Sequence, residues 1–378
     1  MECRRCGNKD PTYFYKGSKG FYCRKCISFN RQLLEDELQP MDYSIIPDAS
    51  QFHFDYPLTK YQKKASSDCL KALNSSDVLL ACVCGAGKTE ITVESIASYL
   101  SKGLKVCYAI SRREVVIELA YRFSKFFPNA RVVSVYGGHH NVIEGDLIVC
   151  TTHQLYRYYQ TFDLLILDEV DAFPLKGNDT LMNISFKSCK GRIIFSTATV
   201  DKHLRGILEN RKYSEVNLYV RPSLKPLIVP KIIYINTLGV LICLAYLMHK
   251  MTNQCIIFVS SKKECVWYYK LFSRFYSCSY VYAELEQRNQ NIIDFKNKKF
   301  QFIFATTVLE RGITIKDVNV IILDLNANIF DTSSLVQMLG RVGRNFKNPY
   351  GEAYILSNHF DRSIIESVRY LKEANSYL

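Results

Sequence analysis

The chain has 378 residues, 48% of them hydrophobic and 22% charged, with a formal net charge of +13. That composition excludes a disordered or low-complexity protein, and the length exceeds one ordinary core, so two domains and something small are expected. The positive balance favours a polyanionic partner, although basic surfaces also serve solubility alone.

Fourteen cysteines follow a start, Met1-Glu2-Cys3-Arg4-Arg5, that lacks the apolar run of an export signal. They read as reduced thiols and metal ligands rather than disulfides, in a cytoplasmic protein. The longest apolar run, Leu238 to Met248, falls short of the roughly 18–20 residues that span a bilayer. In the first thirty residues, Cys3-x-x-Cys6 and Cys23-x-x-Cys26 have the spacing of a four-cysteine zinc site. Each pair fits one tight knuckle, and Gly7 supplies backbone freedom after the first. Four thiolates leave no open coordination position, so the Zn²⁺ is expected to be structural. Residues 1–31 carry eight Lys/Arg against two Asp/Glu, a balance that suits a nucleic acid or a partner protein. The sequence does not choose between them.

Residues 31–54 read as a connector broken by Pro40 and Pro47, with a short helix from Gln32 to Leu38. Leu58-Thr59-Lys60-Tyr61-Gln62 opens a helix running to about Leu73. Ahead of a phosphate loop, the Gln62 amide can pair with adenine N6 and N7 and select ATP; it can equally be a plain helix start. Asp77 to Ala81 is a buried strand, and Glu90 to Leu100 is a helix by its apolar spacing. Between them stands Cys82-Val83-Cys84-Gly85-Ala86-Gly87-Lys88-Thr89, a phosphate loop in which Cys82 takes the place of the usual glycine or alanine. Backbone N–H groups around Gly85, Ala86 and Gly87 would converge on phosphate oxygens, Lys88 would reach the β/γ-phosphates, and Thr89 would hold Mg²⁺.

Strands follow at Leu104–Ala109, Val132–Tyr136, Asp146–Cys150 and Phe162–Leu167. Ligands of open α/β sheets sit at strand C-terminal ends. Arg112, Gly137, Gly138, Thr151 and Thr152 occupy such ends and are candidate contacts to a nucleic-acid backbone, a solvated charge pair being the plain alternative for Arg112-Arg113. The fifth strand delivers Asp168-Glu169-Val170-Asp171. Acids straight after a buried strand are costly unless they bind something. Asp168 is placed to hold Mg²⁺ and Glu169 to polarise the attacking water. A strand at Arg192–Phe195 ends in Ser196-Thr197-Ala198-Thr199, hydroxyls suited to coupling this site to a second surface.

Pro222, Pro226 and Pro230 mark a boundary, after which a second α/β pattern runs through strands at Ile232, Cys255, Phe302, Val318 and Ala353. Trp267, Tyr268, Tyr269 and Phe272 have helical spacing and belong mostly to the core. Ser260, Thr306 and Thr307 leave strand ends and extend the candidate backbone contacts. Gly312 follows in Ala305 to Thr314 as a nucleotide contact. Gln337-Met338-Leu339-Gly340-Arg341-Val342-Gly343-Arg344 puts Arg341 and Arg344 on one helical face, rigid guanidinium forks suited to a γ-phosphate.

Together these stretches resemble the superfamily 2 helicases and translocases over about residues 55–360. The resemblance implies an α/β protein of two tandem RecA-like domains with parallel sheets, preceded by a small four-cysteine zinc-binding domain. The expected bounds are 1–30 for the zinc domain, 31–54 for the connector, 55–218 for the first RecA-like domain and 219–378 for the second. Because the phosphate loop and the acids lie in one domain and Arg341 in the other, ATP is expected between them.

Within the superfamily, the zinc site, the run Asp168 to Pro174 and the compact second domain look like the ComFA family of late competence proteins. The family's usual Thr-Pro is replaced by Ile110-Ser111. The resemblance implies a DNA-stimulated ATPase that draws transforming single-stranded DNA inward. It also implies recruitment to the inner face of the membrane, the channel ComEC and ComFC as partners, and a possible homo-oligomer. Two other readings compete: a duplex-unwinding helicase of the PriA kind, and a zinc-ribbon adaptor with an inactive ATPase fold. Retention of Lys88, Asp168, Glu169, Arg341 and Arg344 argues against the last, since a dead site has no reason to keep buried like charges.

Overall fold

The computed structural model describes all residues except 311–314, 316, 326–328 and 347. The chain divides into two compact units: Met1–Cys82 with Gly87–Leu218, and Val83–Ala86 with Tyr219–Leu378.

The first unit begins with a hairpin, β1 (Phe14–Gly17) and β2 (Gly20–Cys23), which carries the second cysteine pair toward the first. The connector forms no helix at Gln32 to Leu38. Instead Leu34 N–H donates to the Phe21 carbonyl (2.8 Å) and Leu33 bridges to Tyr22, so the hairpin captures this stretch as an extension of its own edge. Farther on, Met41 N–H bonds Thr161 Oγ1 (3.1 Å) and Ile46 N–H bonds Asp146 Oδ1 (3.0 Å), laying the connector along the sheet.

Then come α1 (Lys60–Ala72), β3 (Asp77–Cys82), α2 (Lys88–Leu100), β4 (Val106–Ile110), α3 (Arg113–Phe126), β5 (Val132–Val135), β6 (Leu147–Thr151), β7 (Phe162–Asp168), α4 (Asp179–Ser188), β8 (Cys189–Thr197), α5 (Lys202–Leu208) and β9 (Tyr213–Leu218). Among the described residues the strands form a seven-stranded parallel sheet in the order β5-β6-β4-β7-β8-β3-β9. Every residue of β3, β4 and β6 is buried, the pattern of strands covered on both faces. Strand β9 is an edge strand whose alternation of polar and apolar residues the apolar-run criterion missed. The order sets β7, β8 and β3 side by side, so their C-terminal ends, with Asp168, Ser196 and the phosphate loop, open at one place.

The second unit runs β10 (Lys231–Tyr234), α6 (Thr237–Lys250), β11 (Cys255–Phe258), α7 (Lys262–Phe272), β12 (Cys278–Val281), α8 (Arg288–Lys296), β13 (Phe302–Ala305), β14 (Asn319–Asp324), α9 (Thr332–Leu339), β15 (Ala353–Ser357) and α10 (Arg362–Asn375). Its described strands make a parallel six-stranded sheet, β10-β15-β14-β11-β13-β12. Tyr268 and Phe272 are buried against Phe304 in its core, while Trp267 is half exposed. No described helix is long and apolar enough to cross a membrane.

Candidate ATPase site and zinc centre

The phosphate loop is built by two glycines in left-handed conformation, Gly85 (φ 82°) and Gly87 (φ 85°). Gly87 caps α2 in the left-handed region, where any residue with a Cβ is strained, and Gln62 Nε2 would have to move aside for one. Gln62 is buried; its Oε1 accepts from Thr59 N (3.0 Å) and Thr59 Oγ1 (3.1 Å), closing a capping box at the start of α1. The amide oxygen thus serves the helix cap while Nε2 lies against Gly87.

Lys88 opens α2, with its Nζ 3.6 Å from Asp168 Oδ1. The same Asp168 oxygen accepts from Ser196 Oγ (2.7 Å) and from Glu169 N–H (3.0 Å), and Oδ2 accepts from Tyr108 Oη (2.8 Å). Three hydrogen bonds and the Lys88 charge thus hold one carboxylate at the end of β7. Burial first, and the Asp168 charge second, push the Tyr108 phenol well above its ordinary range, so it stays a donor. Tyr108 reads from sequence as a core residue of β4. Its position on the strand beside β7 is the signal that finds it. Thr89 is buried beside this group. The set fits a divalent cation bound with a nucleotide: Thr89 and Asp168 would hold Mg²⁺, with Lys88 beside it.

Glu169 sits at φ 56°, a strained conformation for a residue with a Cβ, and its Oε2 is buried with no hydrogen-bond partner among the described residues. Such strain at the end of a strand costs about 1–3 kcal/mol and needs an outside reason. Asp171 Oδ2 accepts from Thr199 Oγ1 (2.9 Å), tying the acidic run to the hydroxyl run after β8.

In the second unit the helical-face expectation for the arginine pair is corrected. Helix α9 ends at Leu339, and Gly343 (φ 68°) turns the chain where a Cβ would stand 2.7 Å from the Pro349 carbonyl oxygen. Arg341 is buried, its Nε donating to the Glu310 carbonyl (3.2 Å), whereas Arg344 is half exposed, with Nε on the Gly340 carbonyl (2.8 Å). Arg344 Cγ lies 3.9 Å from where a Cβ on Gly85 would stand. Cys84 Sγ donates to Gln337 Oε1 (3.1 Å).

Sequence reading missed Arg221. Only 4% exposed, it donates Nε to the Cys84 carbonyl (2.8 Å), Nη1 to Val342 (2.7 Å) and Gly343 (3.2 Å), and Nη2 to Gly340 (2.9 Å). One guanidinium therefore fastens Cys84 of the phosphate loop to the Gly340–Gly343 turn. Burial, then the neighbouring Arg344 charge, lower its pKa to about 10. An arginine just inside a proline-rich boundary is weak as a signal, because its partners lie more than a hundred residues away in sequence.

The remaining expected contacts fall at strand ends. Arg112 is the N-cap of α3, half-buried; Gly137 and Gly138 form an exposed turn after β5. Thr151 ends β6 and Thr152 starts the next turn, and both are buried. In the second unit Ser260 follows β11, its hydroxyl on Glu264, and Thr306 and Thr307 follow β13. Gly312 lies outside the described residues.

The four N-terminal cysteines are fully buried, with Cys3 and Cys26 Sγ 3.7 Å apart and Cys6 and Cys23 Sγ 3.8 Å apart. All four sulfurs lie within 4.8 Å of one another. Tetrahedral Zn²⁺ with Zn–S near 2.3 Å places its sulfurs about 3.8 Å apart, so the group fits. Hydrogen bonds from Cys26 and then Cys6 pull the Cys3 thiol down, toward the thiolate form a metal needs. Buried Arg5 orients the site, with Nη2 on Cys26 Sγ (3.2 Å), Cys26 O (2.7 Å) and Asn30 O (2.6 Å). The cysteines share a core with Leu155, Leu181 and Ile184, and Phe29 packs on His153 and Tyr156. The module is thereby part of the first unit's core and not an appended bead.

Comparison with known proteins agrees with this geometry. Residues 55–202 match the family model "Type III restriction enzyme, res subunit", and residues 236–346 match "Helicase conserved C-terminal domain". The chain is 30% identical over 401 residues to competence protein ComFA of Bacillus subtilis (strain 168), covering 99% of this chain and 85% of that protein. It is 29% identical over 389 residues to competence protein ComFA of Streptococcus pneumoniae (strain ATCC BAA-255 / R6), covering 99% and 90%. In fold it is similar to S. cerevisiae Dbp5 bound to RNA and ADP BeF3, with a TM-score of 0.64, 20% identity, and 85% of this chain and 88% of that one covered. It is also similar to RecG bound to a three-way DNA junction, with a TM-score of 0.60, 18% identity, and 84% and 45% covered.

Proposed function

This chain belongs to the ComFA family of competence proteins and is an ATPase of helicase superfamily 2; from that premise we propose that it moves single-stranded DNA at the expense of ATP. The observation that carries the reading is the Asp168 carboxylate, held by Tyr108, Ser196 and the Glu169 N–H with Lys88 at 3.6 Å, beside a loop whose Gly85 and Gly87 take left-handed conformations.

In this reading Gly85, Ala86 and Gly87 present backbone N–H groups to the phosphates, and Lys88 leaves Asp168 to meet the β/γ-phosphates. Bound at Thr89 and Asp168, Mg²⁺ would supply charge neutralisation on the transferring phosphoryl oxygens. Glu169, with a buried carboxylate oxygen lacking a partner among the described residues, orients the attacking water and accepts its proton. Arg341 and Arg344 offset charge on the γ-phosphate. The Asp171–Thr199 bond relays the acidic run's state to the strand ends where Arg112, Gly137, Gly138, Thr151 and Thr152, with Ser260, Thr306 and Thr307, would take the DNA backbone. Cytoplasmic DNA import, with recruitment to the membrane through the zinc module and with ComEC and ComFC as partners, is the biological half of the proposal.

The test is steady-state ATP hydrolysis with single-stranded DNA and with blunt duplex, using wild type and Glu169→Gln. The proposal expects much greater stimulation by the single strand and none in the variant. Equal stimulation by duplex would favour an unwinding helicase, and absence of hydrolysis would favour a binding adaptor.

A further inference from the structure

Away from the phosphate loop and the cysteines, the second unit gathers a histidine and two aspartates where two strands end. Strands β14 and β15 are parallel neighbours with Asp324 opposite Ser357, so the residues that follow β15 return over the end of β14. Asp324 is 1% exposed, and neither of its carboxylate oxygens accepts a hydrogen bond among the described residues. Ser357, its neighbour in register, has one hydroxyl proton, which the His359 carbonyl (2.8 Å) competes for with Asp324. A buried carboxylate so placed is costly unless a positive charge reaches it.

His359 faces it. Its Nδ1 is 2.9 Å from Asn358 Oδ1, an atom that only accepts, so Nδ1 carries the hydrogen. Nε2 then points at Asp324 Oδ2 (3.5 Å) and Asp361 Oδ2 (3.7 Å). The other Asp361 oxygen caps α10, accepting from Ser363 N (2.7 Å) and Ser363 Oγ (2.8 Å), which fixes the carboxylate's orientation. One atom from each of the three residues lies within 4.8 Å of the others.

Without a metal, protons must offset the charge: one on Nε2 makes an imidazolium between two carboxylates, and one on Asp324, whose carboxyl pKa burial raises, makes it neutral. A divalent cation on the Nε2 lone pair, with two carboxylates, makes the set neutral. A four-coordinate ion with ligands at about 2.0–2.2 Å places neighbouring donor atoms about 3.4 Å apart, close to the separations seen. The bond from Nδ1–H to the Asn358 side-chain oxygen is also the usual way a ligating histidine is oriented.

We infer that Asp324, His359 and Asp361 form a second metal site, for a first-row divalent cation such as Zn²⁺ or Mn²⁺, with water completing the coordination. The ion would clamp the end of β14 to the start of α10. Ser363 Oγ already bonds the Phe330 carbonyl (2.9 Å) just ahead of α9, so the clamp reaches the helix that leads to Arg341.

Full-length chain is stripped with chelator, reloaded with Zn²⁺ without nucleotide, freed of excess by gel filtration, and assayed for metal by mass spectrometry. Wild type should retain two equivalents, His359→Gln and Asp324→Asn one each. Reloading with Co²⁺ should leave the cobalt–thiolate absorption of the cysteine site unchanged in both variants. His359→Gln, at a partly exposed position, serves if Asp324→Asn does not fold. A single equivalent in wild type, or equal stoichiometry in wild type and His359→Gln, would assign the cluster to bound protons and overturn the inference.

Discussion

Replacing Arg221 by methionine removes the guanidinium that fastens Cys84 to the Gly340–Gly343 turn while keeping most of the side-chain volume. The carbonyl oxygens of Cys84, Gly340, Val342 and Gly343 each lose a guanidinium bond in a site that is 4% exposed, Gly340 keeping Arg344 Nε. Hydrogen bonds from a charged donor contribute about 1.5–3 kcal/mol each, so the set is worth roughly 6–12 kcal/mol before its cost is counted. Lowering the arginine's pKa from its ordinary value to about 10 corresponds to about 3 kcal/mol against the charged form. Some carbonyls will be rewetted, and the net loss on truncation should be about 3–5 kcal/mol, the range typical of breaking a buried polar network.

The assay is urea unfolding of the full chain followed by two probes, since two units need not unfold together. The transition assigned to the second unit should move to lower urea, and KM for ATP should rise as the phosphate loop loosens. Arg221→Lys should recover only part of either effect, because an ammonium cannot present a fork to three directions. Stability and KM both within twofold of wild type for Arg221→Met would refute the reasoning, by showing that the four bonds contribute nothing net.

Other perturbations follow from the same structure. Cys23→Ser should lose zinc and unfold residues 1–30; structural zinc in short peptides is worth roughly 10–16 kcal/mol of apparent binding energy. Because the cysteines share the first unit's core, its melting temperature should fall too, as calorimetry with parallel zinc analysis would show. Tyr108→Phe leaves Asp168 one donor short and should destabilise the first unit by about 1.5–3 kcal/mol in a denaturant titration. Lys88→Ala should abolish hydrolysis, and Glu169→Gln should do so while ATP still binds, as equilibrium binding of labelled ATP would reveal. Arg112→Ala should flatten the slope of log affinity for single-stranded DNA against log salt by about 0.7, if Arg112 neutralises one phosphate.

What was legible in the sequence was local. The phosphate loop, the acids after β7 and the paired cysteines are each contained in a few consecutive residues, and their chemistry follows from spacing. The parallel α/β layout was also legible, because buried strands such as Val78–Ala81 alternate with helical spacing. Hidden features depend on partners distant in sequence. Arg221 meets Cys84, and Tyr108 meets Asp168 only because β4 and β7 are neighbours. The Gln32–Leu38 helix failed because a seven-residue segment gains less from its own turns than from pairing with the hairpin edge at Phe21 and Tyr22. The arginine pair looked helical by spacing, but α9 ends at Leu339 ahead of both, Gly343 turns the chain between them, and the two side chains take different environments.

The central claim, that ATP turnover moves the chain along single-stranded DNA, is tested most directly by displacement of a tightly bound block from one end of a DNA strand. The block is placed at each end in turn, with wild type and Lys88→Ala compared. The account predicts ATP-dependent displacement from one end only, absent in Lys88→Ala. Hydrolysis stimulated by single strands with no displacement from either end would contradict it.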